Sequence, residues 1–221
     1  RCAMSPPQTC LDSITADTGN YVKIYQDIGD TSATATLDTI DVKHNVMIDL
    51  NGHKLNNIKL GVNKLGVNKD VTLTLTGTAG SYVTQVYVRK GGSFIIDSVA
   101  NVEFDTIFVE DSARLAVNDG AKVTTEQLTV IASVNDDGTT TTSVKLATGM
   151  KLGGLTYHRQ NNSGALKLGN LLDVTRQALR REDNGNYLDL YKEYGSMGYS
   201  VALTVVEHTD ADHKYGSGTG K

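Results

Sequence analysis

Leu65-Gly-Val67, Val86-Tyr-Val88, Ile107-Phe-Val109 and Leu128-Thr-Val130 decide how this chain folds. Each is an apolar pair separated by one residue, and the series runs from 65 to 86 to 107 to 128, 21 residues at every step. A second series lies between them: Leu73 and Leu75, Phe94 and Ile96, Leu115 and Val117, again 21 apart. Apolar residues two apart share one face of a strand, so each repeat carries at least two short strands with one buried face. A strand pattern recurring at this period predicts an all-β solenoid in which each inward position becomes a column along the stack.

Working outward, the pattern begins at Asn45-Val-Met-Ile-Asp-Leu-Asn-Gly-His53, where Val46, Ile48 and Leu50 alternate. Val71, Leu73 and Leu75 match them 25 residues later. Lys59-Leu-Gly-Val-Asn63 is repeated at once as Lys64-Leu-Gly-Val-Asn68, so the pairs Leu60/Val62 and Leu65/Val67 compete for one slot and one copy bulges out. Such a surface insertion costs little loop entropy. Beyond Val130 the polar stretch Asn135-Asp-Asp-Gly-Thr-Thr-Thr-Thr142 absorbs an excess, placing Val144 and Leu146 after Leu115 and Val117, with Leu166 and Leu168 expected next. Asn51, Thr76, Asp97 and Asn118 form a corner column that satisfies turn backbone groups.

The expected organisation is a linker or cap at 1–19, the solenoid at 20–172, a C-terminal cap or small appended module at 173–208, and a linker at 209–221. Asn20 to Ile28 reads as an initial strand, Leu171 to Glu182 carries a helical pattern, and Ser200 to Glu207 reads as a strand. A solenoid needs a terminal element over its last exposed pass.

In 221 residues the net charge is −4, which offers nothing to nucleic acid or an anionic membrane. No apolar run is long enough for a membrane span, and the start at Arg1 reads as a cut from a longer protein. Cys2 and Cys10 are the only cysteines. They form a small disulfide in an oxidising compartment, remain free thiols, or are remnants of a cysteine-rich module upstream.

Ile48-Asp-Leu-Asn-Gly-His-Lys-Leu55 resembles the opening of right-handed parallel β-helix (pectate-lyase-like) modules in large Gram-positive surface proteins. Ala178-Leu-Arg-Arg-Glu-Asp-Asn-Gly-Asn-Tyr187 and Val205-Val-Glu-His208 resemble their closing segment. The resemblance implies a cell-wall-attached or secreted protein whose neighbours are further modules of the same polypeptide, and a binding or spacer role. It brings no catalytic set. A repeat of about 21 residues also fits a right-handed β-helix better than a left-handed hexapeptide solenoid.

A non-catalytic adhesin or spacer is therefore the expected function, with a glycan or a host surface protein as partner. Tyr82, Tyr87, Arg89 and Lys90 mark the expected binding flank, since Tyr and Arg supply binding hot spots. Arg89-Lys90 and Glu110-Asp111 fall one repeat apart and should stack as ion pairs. Enzymatic β-helices use clustered carboxylates, often with calcium, and here Asp97, Asp105, Asp111 and Asp119 are the residues to weigh for a polysaccharide lyase or hydrolase. No cofactor is expected; Asn135-Asp-Asp-Gly-Thr139 is the weak calcium candidate, and His208, Asp210, Asp212 and His213 carry metal-ligand chemistry without a scaffold. Self-association through an exposed edge is a third reading.

Overall fold

A computed structural model describes residues 7–28, 39–55, 64–133, 135–137, 139–147, 150–159, 172–174, 202–209 and 214–218. One short helix, α1 (Pro7–Asp12), precedes β1 (Tyr21–Lys23), β2 (Thr39–Val42), β3 (Val46–Asp49), β4 (Lys54–Leu55), β5 (Lys64–Val67), β6 (Thr72–Thr76) and β7 (Ser81–Val88). There follow β8 (Ser93–Ile96), β9 (Asn101–Val109), β10 (Arg114–Val117), β11 (Lys122–Ala132), β12 (Ser143–Leu146), β13 (Lys151–Leu152), β14 (Gly154–Arg159), β15 (Leu172–Val174), β16 (Ala202–Thr209) and β17 (Lys214–Gly218).

The strands build two sheets, one in the order β1-β3-β6-β8-β10-β12-β15, the other in the order β17-β16-β14-β11-β9-β7-β5-β2. Every pair is parallel except β16 with β17. The chain thus alternates between the sheets, and each pass lies beside the one before it. The 21-residue columns stand as read: Leu65, Val86, Ile107 and Leu128 pair in series, as do Leu73, Phe94 and Leu115. All seven are at most 2 % exposed, so the two sheets close on one continuous core.

Tight turns make the corners. Val71 N–H donates to Asn68 O, Gly92 to Arg89 O and Ala113 to Glu110 O, the same turn at three successive passes. Its third residue is left-handed each time: Asp70 at φ 59°, Gly91 at 77° and Ser112 at 61°. Glycine suits that position best, and short polar side chains tolerate it next best.

A third inward row recurs at the same step of 21, at Val83, Phe104 and Thr125, outside the two apolar series quoted above. In β7 the buried residues run Ser81, Val83, then Val86, Val88, with Thr84 and Gln85 both outward. β9 and β11 repeat this at Asp105/Thr106 and Glu126/Gln127. Two consecutive outward residues reverse the parity, so the strand bends and Leu55, Val83, Phe104, Thr125 and Leu152 form another buried column. Thr125 is tolerated there because its hydroxyl lies 3.3 Å from Gln127 O and 3.5 Å from Asp105 O. The next pass breaks at the bend into β13 and β14, where a Cβ on Gly153 would sit 2.6 Å from Glu126 O.

Several expectations need correcting. The apolar pattern opens at Asn45, yet strand pairing begins earlier, at Tyr21, since β1 already pairs with β3 and β2 with β5. Val46 pairs with Leu73 and Ile48 with Leu75, a step of 27 instead of 25. A slip of two residues keeps every side chain on its face, so alternation alone could not distinguish them. The corner column consequently begins at Asp49, not Asn51; Asp49 Oδ1 accepts from Asn51 N–H at 2.8 Å. The second copy of the duplication fills the slot, as β5; the first lies outside the described residues. Val144 and Leu146 follow Leu115 and Val117 as expected, but Val144 pairs onward with Leu172 and Leu146 with Val174. Leu166 and Leu168 lie outside the described residues, and Leu172–Val174 is a strand where a helical pattern was expected, because the sheet edge of β12 offers three residues a hydrogen-bonded partner. Lys214–Gly218, within the expected linker, forms β17 against β16.

At the N-terminal end α1 supplies Cys10 and Leu11, both at most 4 % exposed, to the core. Cys10 is disulfide-bonded; Cys2, the other cysteine of the chain, lies outside the described residues.

Candidate functional site

The outer face of the larger sheet is ordered by the same register as the core. Asp41, Gly66, Tyr87, Phe108 and Thr129 occupy one outward column. Because strands repeat about every 4.8 Å, equivalent aromatic side chains stack: the rings of Tyr87 and Phe108 lie 4.5 Å apart at an interplanar angle of 5°. The neighbouring column carries the charges. Arg89 donates to Asp41 Oδ1 at 2.8 Å and to Asn68 Oδ1, so one guanidinium links three passes. Tyr87 OH donates to Glu110 Oε1 at 2.8 Å, and Lys90 Nζ lies 3.7 Å from Asp111 Oδ2.

Of the expected ion pairs, Lys90 with Asp111 forms, while Arg89 reaches back to Asp41 and leaves Glu110 to Tyr87. With side chains 41 % and 33 % exposed, the Arg89–Asp41 pair contributes under about 1 kcal/mol.

Tyr87, Arg89 and Lys90 are therefore brought together, along with Phe108, which the sequence reading did not single out. Tyr82 is set apart across the bend, in register with Lys54 and Glu103. Burial, followed by its hydrogen bond to Asp105, raises the Tyr82 phenol to about 12. Burial and then Glu110 do the same to Tyr87. Both phenols stay neutral well above the usual value of about 10. A folded pKa above the unfolded one contributes stability that is complete below about pH 10 and is lost as pH rises toward 12. Spectrophotometric titration of the folded chain is expected to show late-ionising tyrosines, with Tyr82→Phe and Tyr87→Phe each removing one late step. Loss of neither late step in the variants would refute the assignment.

The carboxylates weighed for catalysis do not form one group. Asp97 accepts from Ser98 Oγ and Val99 N–H in its own turn, and Asp119 is exposed at another turn. Asp111 is buried, accepting from Ser133 N–H at 2.7 Å and from Thr142 Oγ1 at 3.5 Å, and so anchors the 133–142 loop. Asp105 lies on the bend, with Glu126 in the next pass and Glu103 nearby on its own strand. Among the described residues no group of three or more His, Cys, Asp or Glu is placed to hold a metal. In the calcium candidate loop, Asp137 Oδ1 accepts from Thr139 N–H and Oγ1 at 2.9 and 2.6 Å, closing a turn. His208 lies in β16 opposite Tyr215; Asp210, Asp212 and His213 lie outside the described residues.

Two histidines acquire partners that sequence could not show. His44 Nδ1 lies 3.1 Å from Asp17 Oδ1, and His53 Nδ1 lies 3.2 Å from Asp27 Oδ1. Each carboxylate also accepts the next backbone N–H, from Asn45 and Lys54, and these backbone bonds are the main cause holding both Asp residues below the usual carboxylate range. The paired residues lie 26 or 27 apart in sequence, one irregular pass, outside the 21-residue pattern. No protein family matches the chain, and no curated protein or solved structure is detectably similar to it.

Proposed function

We propose that the chain is a right-handed parallel β-helix of about 21 residues per regular turn, similar to the pectate-lyase-like modules of Gram-positive surface proteins. It acts as a non-catalytic binding or spacer module on the bacterial cell surface, joined to further modules. The observation that carries this reading is the parallel pairing of successive passes in both sheets, with outward charges linked from pass to pass, as in Arg89 with Asp41 and Lys90 with Asp111. Such cross-links suit a stiff element better than a mobile catalytic cleft. The disulfide at Cys10 supports an oxidising, extracellular setting.

Where the module binds, the Tyr87–Phe108 stack with Arg89 and Lys90 at its rim is the face it uses, and a glycan is the partner. Aromatic rings supply apolar area while the charged rim supplies hydrogen bonds. A second reading, a polysaccharide lyase or hydrolase, draws on the Tyr82 phenol held to Asp105 with Glu103 and Glu126 nearby.

A glycan array probed with and without calcium, alongside an assay for newly released reducing or unsaturated sugar, separates the readings. Binding without release, weakened at least about tenfold by Tyr87→Ala, is the expected result. Sugar release overturns the non-catalytic reading and directs attention to Asp105. No binding leaves the spacer role and removes the glycan from the proposal.

A further inference from the structure

A second polar site lies on the other sheet, at the N-terminal end. The turn that follows α1 crosses the start of β3 and β6 and leaves an open cleft of about 290 Å³ lined by Asp17, Asn20, Asn45, Met47, Thr72 and Thr74. Its walls are held by bonds made below the opening. Asn45 O accepts from Asn20 Nδ2 at 2.8 Å, Asn45 Oδ1 accepts from Thr72 N–H at 2.7 Å, and Asp17 Oδ1 accepts from Asn45 N–H at 3.1 Å. Asn20 Nδ2 also donates to Ala16 O, so the turn is fastened on both sides.

These bonds use the Asn20 amide and the Asn45 and Thr72 backbone N–H groups, while the Thr72 and Thr74 hydroxyls, which can donate or accept, line the cleft. Asp17 Oδ2, Asn20 Oδ1 and the hydroxyls of Thr72 and Thr74 make no hydrogen bond to another described residue. The backbone bond from Asn45, followed by the His44 contact, keeps the Asp17 carboxyl ionised. Met47 and Thr74 are register partners on the outward face, so a thioether and a methyl group lie beside the polar atoms.

We infer that this cleft binds one neutral hexopyranose unit of a glycan chain. The ligand must bring several O–H donors to converging acceptors, and it must turn a C–H face toward Met47. A pyranose ring does both, and its hydroxyls can also accept from the two threonines. A phosphate or sulfate finds no cation among the lining residues and meets the Asp17 charge. An ammonium group would be drawn to the Asp17 carboxylate, which already contacts His44 at 3.1 Å, and a cationic control separates that case. The open side leaves room for the rest of the chain to continue along the sheet. This site is distinct from the Tyr87 flank, and it rests on the glycan-binding reading.

The test is a backbone-amide NMR titration of the whole chain with glucose, galactose and mannose and their β-linked disaccharides, with lysine methyl ester as the cationic control. Saturable shifts at Gly19, Asn20, Met47 and Thr74 with at least one sugar are expected. Asp17→Asn should weaken binding about tenfold, as loss of a charge-assisted bond does. Thr74→Val, which keeps shape and fold, should weaken it several-fold. Sugar-induced shifts confined to Tyr87 and Phe108 overturn the cleft while leaving the glycan reading intact. Shifts with the lysine ester alone, or with no probe, overturn the cleft, and the glycan array then decides the broader reading separately. Unchanged affinity in both variants overturns it as well.

Discussion

Phe94→Ala is expected to lower the free energy of unfolding by about 3–5 kcal/mol. The Phe94 side chain is fully buried, stacked in its column between Leu73 and Leu115. It meets Phe104 edge-on, with centroids 6.1 Å apart and rings at 83°, so it joins the core row of one sheet to the bent row of the other. Removing the ring forfeits burial, the aromatic contact of roughly 0.5–1.5 kcal/mol and the packing of its neighbours. The cavity cannot readily collapse, because the spacing of the passes is fixed by backbone hydrogen bonds at about 4.8 Å. Urea unfolding should show a lower midpoint at unchanged slope. Phe94→Leu, which keeps most of the volume, should cost about 1.5 kcal/mol or less. A loss below about 1 kcal/mol for the alanine variant would contradict the packing described above.

Asp111→Ala is expected to cost about 3 kcal/mol, the second largest effect. Asp111 is only 8 % exposed, and its carboxylate receives the Ser133 N–H and the hydroxyls of Ser112 and Thr142. Alanine leaves the Ser133 N–H without an acceptor, a penalty of about 1–3 kcal/mol by itself, and removes the longer 3.5 Å contact from Thr142, whose hydroxyl keeps Ile131 O at 3.1 Å. The Lys90 contact adds little, since that ammonium is 69 % exposed. Asp111→Asn retains an acceptor oxygen and should recover most of the loss. Hydrogen exchange distinguishes this from general weakening: the Ser133 amide should exchange much faster in the alanine variant while Val86 and Ile107 change less. Uniform acceleration across the sheet would show that Asp111 does not act locally.

The central columns were legible in the sequence because nothing interrupts them. From Leu65 to Leu128 each pass is two strands and two tight turns, so one period describes every inward position. Where loops enter, alternation still marks the buried face but not the register, and it sets Val46 against Val71, two residues from its partner Leu73. The third row falls outside the two series because alternation fails at Thr84-Gln85, Asp105-Thr106 and Glu126-Gln127, which reads as polar noise in a single strand. Asp111 looked like one more solvated turn residue, since Ser133 and Thr142 are 22 and 31 positions away. The stacking of Tyr87 on Phe108 was implicit in the period, which places both in one column. The cleft at Asp17 was not, because the turn that forms it belongs to no repeat.

The loops also divide the chain by length. Successive partners in the smaller sheet are 26, 27, 21, 21, 29 and 28 residues apart, going from Tyr21 to Met47, Val46 to Leu73, Leu73 to Phe94, Phe94 to Leu115, Leu115 to Val144 and Val144 to Leu172. All excess length sits at the two ends, and the middle is interchangeable stock. Excising residues 90–110 removes one whole period and joins Arg89 to Asp111 with every remaining column still aligned, shortening the stack by one strand spacing of about 4.8 Å. Removing twenty residues or twenty-two instead turns each following side chain to the wrong face. Length in this molecule is therefore quantised, and it can change by recombination in whole passes without any redesign of the core.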